Sequence, residues 1–128
     1  MIHPTTVATL AGFHQGWAWV VIVGNGVAGL WALAAMRWPA LRVQALWWFT
    51  GAAQLSGVVE VGLGVAMVAG RTVPDLQFHM FYGFLILIAV GIIYSYRQQL
   101  RDRIYLLYGL GGLFVMGLGI RALQVGPR

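Results

Sequence analysis

Cysteine is absent from the chain, and so is lysine. Without a thiol there is no disulfide, no thiolate zinc or iron–sulfur site, no covalently attached c-type haem and no cysteine nucleophile. Histidine, carboxylate and backbone groups are what remains for chemistry. Acid is nearly as scarce: three Asp and Glu stand against eight Arg in 128 residues, and charged residues make up only 9%. A soluble domain carries about a quarter of its residues as charges. That shortage, together with 60% hydrophobic residues and a mean hydropathy of +0.80, excludes a water-soluble globular domain and with it most soluble enzymes.

Proline is missing from every long apolar stretch. Crossing about 30 Å of hydrocarbon takes about 20 helical residues, because each backbone polar group must be bonded within its own helix. Four stretches qualify, at about residues 16–36, 43–70, 78–96 and 104–120. The first carries no charge and stops at Arg37-Trp38-Pro39, the second carries only Glu60, the third lies between Asp75 and Arg97, and the fourth is closed by Arg121. Pro4, Pro39, Pro74 and Pro127 all fall outside them, as uninterrupted helices require. The turns are short, so neighbouring helices are expected to be antiparallel. The sequence predicts an all-α fold, a single-domain integral membrane up-down-up-down four-helix bundle over residues 1–128. Residues 1–15 lack a positive leader region, so no cleaved signal peptide is expected.

Arginine placement sets the expected orientation, since short cytoplasmic loops carry the excess of positive charge. Arg37, Arg42, Arg97, Arg101 and Arg103 share one side, against Arg71, Arg121 and Arg128 on the other. Both basic turns are therefore read as cytoplasmic and both chain ends as external. The net charge of +5 reflects this topology and anionic headgroups; no basic run resembles a nucleic-acid surface. Of the 18 Gly, those on the stripes Ala53, Gly57, Gly64 (with Glu60), Gly109, Gly112, Gly119 (with Met116) and Gly24, Gly26, Gly29 (around Asn25) read as close helix packing. The string Gly24-Asn25-Gly26-Val27-Ala28-Gly29 lies inside a span with no strand before it, so it is not a dinucleotide site.

A few polar residues stand out against this background. An ionisable group placed mid-span costs about 2.5–3.5 kcal/mol, so Glu60 is expected to face the interior, neutral or paired with a cation or a hydrogen-bond donor. Gln54 and Asn25 are candidates to bond across helices. His14, just ahead of the first span, and His79, opening the third, are expected at nearly the same depth near the external face. Helices one and three of such a bundle lie diagonally across the core, a geometry suited to a macrocycle held by an axial His from each side. Gly83, one turn beyond His79, leaves space beside the imidazole, and Arg71 or Arg121 is available to haem propionates. Ordinary interfacial placement of the two His, or a divalent metal site that includes His3, are the other readings.

The run Q-L-S-G-V-V-E-V-G-L-G-V-A-M-V-A-G-R-T-V-P-D-L-Q-F-H-M-F-Y-G over residues 54–83 resembles part of a haem A synthase half-bundle, in which a Gln- and Gly-rich helix leads through a Pro-containing external turn to a helix opened by a haem-ligating His. Phe13-His14-Gln15 is similar to the external start of an earlier helix of that family. The family has a Glu four residues before its first His and an Arg directly after, where this chain has Leu10 and Gln15, and it is built from two such halves. The resemblance therefore implies an axial role for His14 and His79 and not the synthase reaction. The whole chain is also similar to a type of small membrane protein of high-GC bacteria, on His79-Met-Phe-Tyr-Gly and Tyr94-Ser-Tyr-Arg, which implies a bacterial cytoplasmic membrane and no activity.

Three functions follow as expectations. The first is a bundle that binds b-type haem (haem b) through His14 and His79, for electron transfer or haem handling. The second is a non-catalytic accessory subunit packed by its glycine faces into a larger membrane complex or homo-oligomer, which the small loops favour. The third is a small pore or transporter lined by Glu60.

Overall fold

The computed structural model describes residues 3–70, 73–74 and 76–126, and among these all regular structure is helical. The order is α1 (Pro4–Arg37), a 3₁₀ turn (Pro39–Leu41), α2 (Gln44–Val68), α3 (Gln77–Ser95), a second 3₁₀ turn (Arg101–Arg103) and α4 (Ile104–Gln124). All four helices are long and apolar enough to cross a membrane.

The first helix starts three turns before the expected residue 16, which places His14 inside α1 instead of ahead of it. Apolarity marks where a helix enters hydrocarbon, not where it begins. The start is set by local chemistry: His3 is extended, its side chain accepts from the Thr5 N–H at 3.1 Å, and Pro4 occupies the first helical position. Thr5, Thr6, Thr9 and Gln15 dilute the apolar pattern without opposing the helix. At 34 residues, α1 is about 51 Å long. It stops where Trp38, extended ahead of Pro39, leaves the helical region, and Arg42 closes the end by donating to the Ala35 and Met36 carbonyls at 2.8 and 3.2 Å. At the other end of the chain α4 runs through Arg121 to Gln124, because an arginine ends an apolar window but not a helix.

The interior combines aliphatic side chains such as Leu46, Val21 and Val115 with many small or polar ones, and the exterior is large and apolar. Buried positions include Ala28, Ala32, Ala35, Ala53, Asn25, Thr50, Ser56 and Glu60, whereas Trp19, Leu30, Leu55, Phe78, Ile88, Leu110 and Phe114 are exposed. Helices meet closely through the small side chains. Gly29 of α1 lies against Gly109 and Gly112 of α4, flanked by the pairs Ile22 with Gly119, Gly26 with Met116 and Leu33 with Gly109. Ascending numbers on α1 thus meet descending numbers on α4.

Side-chain donors tie α1 to the backbone of α2. Trp17 Nε1 donates to the Ser56 carbonyl at 2.9 Å, and Asn25 Nδ2 donates to the Ala53 carbonyl at 3.1 Å as well as to Val21 within its own helix at 2.9 Å. On α4, Val115 and Leu118 pack with Ile86, Ala89 and Ile93 of α3. Around the ring, α1 packs mainly on α4 and α2, α3 packs mainly on α4, and α2 and α3 touch lightly, near Gly57 and Ile86. At the basic end the Arg42 guanidinium lies over Tyr105 and that of Arg97 over Tyr94, at 5.3 and 3.6 Å from the ring centres.

Candidate functional site

The light contact between α2 and α3 leaves a cavity of about 390 Å³ at the end where α1 starts and α4 finishes. All four helices line it, and its wall is mostly apolar. Val65, Met80 and Phe84 are both lining and exposed, so the cavity opens sideways between α2 and α3. Among the described residues four polar ones line it: His14, Gln15, Glu60 and His79.

His14 and Glu60 are joined. His14 Nδ1 lies 2.7 Å from Glu60 Oε1, with the two side chains 18% and 11% exposed. An unpartnered carboxylate at this burial would be costly, and the imidazole supplies its partner. Gly64, one turn past Glu60, admits the ring: a Cβ there would sit 3.3 Å from His14 Cε1. The 45 residues between His14 and Glu60 hide this pair in the sequence, but once α1 begins at Pro4 the positions 14, 21 and 25 form one stripe at helical spacing, and that stripe faces α2.

His79, in the first turn of α3, reaches α4. Its Nδ1 is 2.7 Å from the Ala122 carbonyl oxygen. A carbonyl only accepts, so Nδ1 carries a proton, and in the neutral form of the ring the lone pair is at Nε2. Gly126 gives this ring room, since a Cβ there would lie 3.0 Å from His79 Nδ1. The two imidazoles are neighbours in an edge-on arrangement, with centroids 6.0 Å apart and planes at 79°. Among the described residues neither Nε2 has a hydrogen-bond partner. His14 Nδ1 and Glu60 Oε1 approach to 2.7 Å, but neither atom has a hydrogen-bond partner among the described residues, so the contact is a close pairing of the two groups and not a formed N–H···O bond.

The remaining sequence candidates divide. Gly83 lines the cavity with open space at its Cα. Arg121 lies outside it, over Tyr82 at 5.8 Å and bonded to Gln124 Oε1 at 3.2 Å. Arg71 lies outside the described residues. Asn25 is buried in the α1–α2 seam, and Gln54 is half-buried on α2 away from the cavity. His3 spends its Nδ1 on the α1 cap. No group of three or more His, Cys, Asp or Glu among the described residues is placed to hold a bare metal ion. Sequence reasoning missed the Ala122 carbonyl, because a backbone acceptor leaves no mark in residue type. Compared with protein families, with curated proteins and with solved structures, the chain shows no match.

Proposed function

We propose that the chain is a multi-pass protein of the bacterial cytoplasmic membrane, an up-down-up-down bundle with both ends external, and that it binds b-type haem between α1 and α3 through His14 and His79. The opposed numbering of the helix contacts, the apolar exterior and the arginine-rich turns support the first part. Reporter fusions test it: a tag at either terminus is expected to be active only outside the cytoplasm, and one placed at residues 97–100 only inside. The reverse pattern would overturn the orientation.

One observation carries the haem reading. Two imidazoles share a cavity, His79 with its Nδ1 on the Ala122 carbonyl and His14 with its Nδ1 2.7 Å from Glu60 Oε1, and a carbonyl or carboxylate behind the ring is the usual neighbour of a ligating histidine. The two ring centroids lie 6.0 Å apart, so His14 and His79 are the residues that would hold the group. The cavity volume of about 390 Å³ is within the roughly 300–1,000 Å³ of cofactor sites. Gly64 and Gly126 make room in its wall for the two histidine rings, and Gly83 leaves open space beside them. The bound group would supply one-electron chemistry, for electron transfer or haem handling. The protein's part is to present two imidazoles, to keep them oriented and to exclude water with an apolar wall.

Haem titrated into the detergent-solubilised apoprotein tests the reading. The wild type is expected to saturate at one haem per chain with a low-spin spectrum. His14→Ala/His79→Ala is expected to lose that spectrum, and His3→Ala to keep it. Saturable binding that ignores both cavity histidines would overturn it and leave an accessory subunit of a larger complex as the better account.

A further inference from the structure

The two imidazoles are held unequally. His14 lies well inside α1, ten residues past Pro4, in a helix that continues unbroken to Arg37. Its Nδ1 lies 2.7 Å from the Glu60 carboxylate, at a contact away from the ends of both α1 and α2. A carboxylate behind the imidazole also pushes electron density toward Nε2. His79 is the third residue of α3, in a first turn whose N–H groups lack intrahelical partners. Its acceptor, the neutral Ala122 carbonyl, is in the last turn of α4. Both elements that hold His79 are thus helix ends, which open at lower free energy than helix centres. The open space at Gly83 and the lateral gap past Met80 and Phe84 lie on this same side.

Resting on the haem reading, the geometry points to His14 as the permanent ligand, with Glu60 as its positioning residue, and to His79 as the exchangeable one. The site then accepts a small neutral ligand of the carbon monoxide class in the place that His79 vacates, from the α3 side.

The test uses the full chain reconstituted with haem in detergent. His79→Ala is expected to retain haem within about threefold of wild-type affinity, to turn high-spin, and once reduced to take up carbon monoxide stoichiometrically. His14→Ala is expected to lose haem affinity by about 10–100-fold. Glu60→Gln, which keeps the His14 ring, is expected to weaken haem binding about tenfold and to raise the midpoint potential, while helix content stays at the wild-type level. A purely structural Glu60 would leave the potential unmoved. Should His14→Ala fail to assemble, Glu60→Gln still decides the matter. Equal losses in the two histidine variants, a greater loss in His79→Ala, or an unchanged potential in Glu60→Gln would overturn the inference and leave the haem reading standing. A wild type that binds no haem would remove both.

Discussion

Gly112→Val is expected to abolish the assembled bundle. A Cβ at Gly112 would stand 2.8 Å from the Asn25 carbonyl oxygen, 2.8 Å from Gly29 Cα and 2.9 Å from Gly29 N. Every one of these is a backbone atom, so none moves aside by changing a rotamer. The reciprocal position is as tight, with a Cβ at Gly29 placed 2.8 Å from the Gly109 oxygen and 2.9 Å from Leu113 N. The helices would have to separate along the most extensive interface in the molecule. Overpacking costs about 1–3 kcal/mol where side chains can adjust, and more where they cannot. At Gly26 the nearest obstacle is the flexible end of Met116, and at Gly62 and Gly117 there is no neighbour within 4 Å. Thermal unfolding in detergent, followed by circular dichroism, should therefore rank Gly62→Ala and Gly117→Ala near wild type, Gly26→Ala below them, and Gly112→Val with no cooperative transition. A cooperative wild-type transition in Gly112→Val would show that the two helices are not held at this contact.

Glu60→Lys should be nearly as damaging, and Glu60→Gln should not. The side chain is buried beside His14 and opens on the cavity that also holds His79. Glutamine keeps the size of the side chain and an oxygen beside His14 Nδ1, so the site loses charge but not its fit. Lysine places a cation against a hydrogen-bond donor with no anion in reach among the described residues. Breaking a buried pair by removing one partner costs about 3–5 kcal/mol, a large fraction of the stability of a small domain. Size-exclusion profiles and thermal midpoints in detergent are expected to place Glu60→Gln within a few degrees of wild type and to show Glu60→Lys largely aggregated. Equal tolerance of the two would mean that water fills this part of the cavity.

The helices were legible because proline, arginine and apolar length mark them independently. Residues 43–70 and 78–96 correspond to α2 and α3 within about two residues at either end. The start of α1 was missed, because Thr5, Thr6, Thr9 and Gln15 lower apolarity while His3 and Pro4 give an N-terminal signal that apolar windows do not score. Both histidines and Glu60 could be singled out by the expense of burying them. Their mutual geometry could not, since it depends on how far α1 is rotated about its axis and on the carbonyls at Ala53 and Ala122, which any residue type would supply.

The sequence of contacts around the bundle also bears on its biosynthesis. The pair α1 and α2 is complete once the chain has been made as far as Gly64, because the partners of Ala53, Ser56, Glu60 and Gly64, namely Asn25, Trp17 and His14, are already there. Helix α3, next off the ribosome, finds little to hold on α2 and gains its principal partner only when α4 arrives. The last helix made is thus the one that joins the early hairpin to α3 and brings the Ala122 carbonyl to His79. Until α4 is in place the chain is a finished hairpin beside a waiting third helix, and the histidine pair does not yet exist as a site.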